Sequence, residues 1–124
     1  MSTHINDLRS SAVVAAGLHP TTISVSTNAP SVDLTDGDGP CFAIQLVGDL
    51  EESGTLDGHI EQSADGTTWA DISGATFAQV DGAQDVQVIR FERTMRYLRW
   101  VGTIAGSDPV YTVAVAIGSL KKTF

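Results

Sequence analysis

The sequence predicts an all-β fold: an antiparallel β-sandwich, jelly-roll-like, of about eight strands with an N-terminal arm. Three observations predict it. Strand-forming runs recur at short intervals between clusters of Gly, Asp, Asn and Pro. No long segment carries a helical hydrophobic period. Charged residues make up 18% of the 124 residues while Val, Thr, Ser, Ala and Gly abound, which suits pleated, half-buried surfaces joined by short turns. A chain of this length fits one domain with its own core.

Residues 1–20 show no period of two and end at Pro20, so they read as an arm; residues 21–124 form the sandwich domain. The apolar run Ala12–Leu18 is short for an export leader and follows Asp7 as well as Arg9. It is expected to pack on the protein's own sheet or on a neighbour. Next, "TTISVST" (21–27) alternates and stops at "NAP", and "SVDL" (31–34) stops at "TDGDGP". "CFAIQLVG" (41–48) places Phe42, Ile44 and Leu46 on one face, and "TLDGHIEQS" (55–63) turns Leu56 and Ile60 inward with His59 and Glu61 outward. In "EQSADGTTWADI" (61–72) Asp65-Gly66 supplies a turn and "TTWADI" is the returning strand, bringing Trp69 home to the sandwich. "DVQVIRF" (85–91) and "RYLRWVGTI" (96–104) are two strands joined by a tight turn around "ERTM", with Trp100 in the core. The last strand, "VYTVAVAIG" (110–118), sets Tyr111, Val113, Val115 and Ile117 opposite Thr112, Ala114 and Ala116.

Arg90, Arg93, Arg96 and Arg99 recur every three residues, a basic stripe if helical. The strand-forming residues around them argue against a helix, and on strands a spacing of three sends side chains to alternating faces. Residues 1–89 carry thirteen acids and Arg9, net −12; residues 90–124 carry six bases and two acids, net +4; together these give −8. Either the arginine-bearing strands pair with acidic neighbours, or one edge of the molecule is basic and suited to docking on an acidic surface. The negative total opposes nucleic-acid binding through the overall field, and no stretch is long enough to span a bilayer.

Signals for chemistry are sparse. "DLTDGDGP" (33–40) gathers Asp33, Asp36 and Asp38 but lacks the closing glutamate of a calcium loop, so it reads as a turn. His59 and Glu61 share a strand face, but a metal needs three or four converging ligands. The only cysteine, Cys41, opens an apolar strand where a buried thiol is the ordinary outcome. Neither a nucleophile elbow nor a phosphate-binding glycine loop is present. The expectation is therefore a non-enzyme with no catalytic residue, cofactor or metal ligand.

Ser63, Asp65, Gly66 and Trp69, then Arg96, Tyr97 and Arg99, then the alternating final strand form a pattern over roughly residues 31–118. It resembles the small β-sandwich structural proteins of tailed bacteriophages, commonly capsid decoration (cement) proteins. The same Ser-x-Asp-Gly-x-x-Trp and Arg-Tyr-x-Arg elements also resemble discoidin-like (galactose-binding-like) domains, which would imply a binding module for carbohydrate or another surface ligand. The phage resemblance implies a virion protein, made in the host cytoplasm, that binds the capsid exterior and stabilises it without covalent chemistry. Its partners would be the major capsid protein and further copies of itself, as a dimer or trimer, with no nucleic acid and no membrane. Arg9, Val13, Val14 and Leu18 of the arm, and Arg93 of the basic segment, are the expected contacts.

Overall fold

The structure, a computed structural model, describes residues 12–34 and 39–120. In chain order the strands are β1 (Ala12–Ile23), β2 (Thr27–Asn28), β3 (Val32–Asp33), β4 (Cys41–Glu51), β5 (Gly54–Ser63), β6 (Ala70–Thr76), β7 (Asp85–Phe91), β8 (Tyr97–Gly106) and β9 (Val110–Leu120). They form two antiparallel sheets, β1-β9-β4-β7 and β2-β8-β5-β6, with β3 also pairing β8. Apart from the β5–β6 hairpin, successive strands pass from one sheet to the other or extend the same edge, as β2 and β3 do on β8. This is the double-sheet jelly roll. With β2 and β3 taken as one interrupted strand, the described residues form eight strands, in line with the about eight that the sequence predicts.

The core lies between the sheets. Alternation on β9 buries Tyr111, Val113, Val115 and Ile117, and alternation on β5 buries Leu56 and Ile60. Leu98 and Trp100 of β8 are fully buried against them. Gln45 of β4 reaches across from the opposite sheet, and its Oε1 accepts the Trp100 indole N–H at 3.0 Å. Close approach here requires Gly58, since a methyl at that position would collide with Gln45 Oε1 and the Trp100 indole.

Three sequence expectations need correction. Residues 12–20, read as part of the arm, belong to β1, which pairs with β9 along its length. Their period of two is broken by register shifts at Ala16/Leu18 and Leu18/Thr21, and Pro20 is tolerated because β1 is an edge strand. Arg9 and the rest of the arm lie outside the described residues. The stretch 21–27 is not one strand: β1 ends at Ile23 and β2 begins at Thr27. The segment around "ERTM" does not close a hairpin, because β7 and β8 lie in different sheets. Arg93 organises this crossing by donating to the carbonyls of Leu34, Met95 and Arg96.

Candidate functional site

The two outer faces of the sandwich differ in chemistry. On the β1-β9-β4-β7 sheet the inward positions of β4 are Cys41, Ala43, Gln45 and Val47, all buried. The face shared by Phe42, Ile44 and Leu46 is therefore the outer one. Register pairs Phe42 with Arg90 and Gly118, Ile44 with Val88 and Ala116, and Leu46 with Val86 and Ala114. Val14 and Ala16 of β1 continue the face opposite Gly118 and Ala116. Val86, Val88 and Val14 are 65%, 62% and 60% exposed, and Leu46 is 46% exposed. The larger side chains of β4 and β7 stand beside a shallow trough of Ala114, Ala116 and Gly118, and the Phe42 ring lies over Gly118.

Among the described residues the centre of this face holds no acid, in a chain of net charge −8. Arg90 stands at one corner, and Asp49 and Glu51 begin only at the margins. Ordinary solvent-facing sheets alternate apolar-in with polar-out. Here both sides of β4 and β7 are largely apolar, the pattern of a surface covered on both faces.

The outer face of the β2-β8-β5-β6 sheet is polar. It carries Asp57, His59 and Glu61 of β5, Asp71 of β6 and Arg99 of β8. The His59 Nε2 atom lies 3.2 Å from Glu61 Oε2 and 3.4 Å from Asp71 Oδ1. Arg99 directs both Nε and its NH2 group at the other oxygen, Glu61 Oε1, at 2.8 and 2.7 Å. Burial pushes the Glu61 carboxyl up, but the hydrogen bonds and charge of Arg99 and His59 outweigh it and hold the group below its usual range. Trp69 is half-buried outside the core, with the Arg99 guanidinium 4.4 Å from its ring. The expected return of Trp69 thus ends on the surface of the sheet rather than within the sandwich.

Asp65 and Gly66 turn the chain as the sequence suggests, but the connection runs on through Trp69, and β6 begins only at Ala70. Gly66 takes a positive φ of 79°. Asp65 Oδ1 accepts the backbone N–H groups of Thr67 and Thr68 at 2.8 and 3.0 Å, and Ser63 Oγ accepts that of Gly66. These bonds from Thr68 and Thr67, with the Ser63 hydroxyl, hold the Asp65 carboxyl below its usual range.

The remaining sequence-predicted positions are dispersed. Leu18 is half-buried against the core at the β1 register shifts, and Arg93 is held at the β7–β8 crossing. The side chain of Val13 and the residue Arg9 lie outside what the structure describes. Arg96 pairs with Asp33, so that acid is engaged as an ion-pair partner, while Asp36 and Asp38 fall outside the described residues. The arginine stripe dissolves: Arg90 and Arg99 lie on opposite sheets. Cys41 is 1% exposed, and burial raises its thiol pKa, which suppresses the thiolate. Among the described residues no helix is long and apolar enough to cross a membrane.

No family model matches the chain, and no curated protein matches it. Among solved structures, it is similar to a chain in the structure of infectious bursal disease virus, Gx strain, with a TM-score of 0.53 and 13% identity over 86% of this chain. This chain spans only 30% of that viral chain. It is also similar to the C-terminal family 22 carbohydrate binding module of Clostridium thermocellum Xyn10B, with a TM-score of 0.47, 14% identity, and coverage of 91% of this chain and 83% of that one. At these identities the likeness is one of fold.

Proposed function

We propose that the protein is a structural virion protein that binds the outside of an assembled phage capsid and stabilises it by non-covalent contacts. The observation that carries this reading is the acid-free apolar centre of the β1-β9-β4-β7 outer face. An interface core is depleted of charge and rimmed by polar groups, and this face has that layout, with Arg90, Asp49 and Glu51 at its edges. The fold shared with a chain of a virus structure is consistent with the reading. The partner is the major capsid protein, and the protein acts by contact alone, without catalysis.

The energetics suit such a role. Burying a Val or Leu side chain fully is worth about 1.5–3 kcal/mol. The exposed parts of Val14, Leu46, Val86 and Val88 together offer a gross gain of about 3.5–7 kcal/mol per copy on that scale. A protein that binds only the assembled shell stabilises it by mass action, and many copies multiply a modest contact. Self-association as a dimer or trimer would extend the same surface. Val14 of β1 lies on this face and adds to the contact.

Co-sedimentation with shells of the cognate major capsid protein tests the proposal. The isolated protein should pellet with assembled shells at saturable stoichiometry and raise their resistance to heat. Failure to bind assembled shells would overturn it. The second reading, a discoidin-like module for a surface ligand, rests on half-buried Trp69 and Arg99 on the opposite face; specific retention of one glycan on an array would favour it.

A further inference from the structure

We propose that His59, Glu61 and Asp71 form a binding site for a divalent transition-metal ion of the zinc class. The sequence shows two of these groups on one strand face and gives no third. The fold supplies it. Glu61 and Asp71 are directly opposite across the β5–β6 pair, whereas His59 is opposite Thr76. Between those two registers Ile60 alone on β5 faces four residues of β6, Ile72, Ser73, Gly74 and Ala75, of which Ile72 and Ala75 are buried in the core and Gly74 has a φ of 82°. The regular pairing of Gln62 with Ala70 and of Glu61 with Asp71 holds Asp71 beside Glu61, and its Oδ1 lies 3.4 Å from His59 Nε2.

The ligand atoms are spaced as a small cation requires. Zinc bonds of 2.0–2.2 Å in a tetrahedron set neighbouring ligand atoms roughly 3.3–3.6 Å apart. The His59 Nε2 separations of 3.2 and 3.4 Å from the two carboxylates match closely, and all three ligand atoms lie within 4.8 Å of one another. The Asp71 side chain is 81% exposed, so it can swing to close the remaining edge. With three protein ligands, a zinc-class ion would take water as its fourth.

Charge points the same way. Two carboxylates directly opposite on a sheet repel. Arg99 answers only part of that charge, because both of its contacts fall on Glu61 Oε1 and leave Oε2 turned toward His59. Among the described residues the ion-pair partner of Asp71 is His59. Arg99 thus occupies the place of an outer partner that orients a ligating carboxylate, and Trp69 packs on Arg99 from beyond. An imidazole nitrogen with two carboxylate oxygens selects zinc-class ions over calcium, which takes oxygen ligands at higher coordination. A bound ion would clamp the bulged edge strand β6 onto β5.

The test uses the full chain without an affinity tag, freed of metal by chelation. Calorimetric titration with zinc alone should give one ion per chain, and cobalt should give the visible absorption of a tetrahedral site. Thermal unfolding should shift upward with zinc and remain unmoved by equimolar calcium. His59→Ala, and separately the exposed change Asp71→Asn, should each abolish the cobalt spectrum. Arg99→Met should weaken zinc binding by about 10–100-fold, as loss of an outer partner does. The absence of stoichiometric zinc binding overturns the proposal. So does binding that Asp71→Asn and His59→Ala, both still folded by circular dichroism, leave undiminished.

Discussion

Gln45 and Trp100 join the two sheets through one hydrogen bond, the indole N–H donating to the amide oxygen at 3.0 Å, with both side chains fully buried. The amide Nε2 of Gln45 has no partner among the described residues. The pair is therefore a polar link in an apolar layer, with one group satisfied and one left over. Gln45→Leu strands the indole N–H in that layer and should destabilise the protein by about 1–3 kcal/mol. Gly58→Ala, which drives a methyl into the same contact, should cost about 1–3 kcal/mol by overpacking. Urea unfolding followed by tryptophan fluorescence reads both changes; an unchanged midpoint for either variant would contradict this account of the core.

Tyr111 makes a second link. Its hydroxyl is shared between the carbonyls of Gly54 and Val80, at 2.9 and 3.1 Å. Tyr111→Phe should cost about 0.5–1.5 kcal/mol with the fold retained. Burial first, and then the charges of Asp81 and Asp57, push the phenol above its ordinary range. Ultraviolet titration should show one tyrosine that ionises only above that range while the protein remains folded.

Acid should weaken the β5–β6 hairpin. Glu61 and Asp65 both have folded-state pKa values below their ordinary ones. Each therefore contributes stability that is fully present above the unfolded-state pKa, about 4.3 and 3.9 respectively, and is lost as pH falls through the folded value. The urea midpoint should be insensitive to these two groups between pH 7 and 5 and should drop below about pH 4. Asp65→Asn, which keeps an acceptor for the Thr67 and Thr68 N–H groups, should reduce that acid slope; Asp65→Ala should lower the midpoint at neutral pH as well. A midpoint that rises on acidification through this window would contradict the assignment.

The legibility of this fold in its sequence varied with local physics. On β9 and β5 one face is larger and more apolar than the other, so alternation alone identified the buried side. On β4 both faces are apolar or small, and alternation placed Phe42, Ile44 and Leu46 together without saying that the core takes Cys41, Ala43, Gln45 and Val47. That choice is made by packing across the sandwich, where Gln45 meets Trp100. β1 was hidden because its two register shifts break the period of two. Trp69 reads as a core residue by its chemistry, but the loop after Asp65 delivers it to the Arg99 guanidinium on the outside. The third member of the His59–Glu61–Asp71 cluster is invisible in sequence, since it depends on the register in which β6 returns along β5 and pairs Asp71 with Glu61.

The outer face of β1-β9-β4-β7 is central to the account, and paired charge substitutions test it most directly. Leu46→Lys with Val88→Lys places two charges in the centre of the apolar face, at positions 46% and 62% exposed. Exposed sites of this kind change stability by only about 0.5 kcal/mol each, so the isolated protein should still fold. Thr103→Lys adds a charge to the opposite sheet at an exposed position and serves as the control. Attachment of the three proteins to shells assembled without decoration should be measured by co-sedimentation over a range of concentrations. The account predicts that the double variant loses attachment by at least about tenfold, as two buried charges in an apolar contact require, while Thr103→Lys binds as the unaltered protein does. Equal binding by the double variant would contradict the claim that this face is the capsid contact.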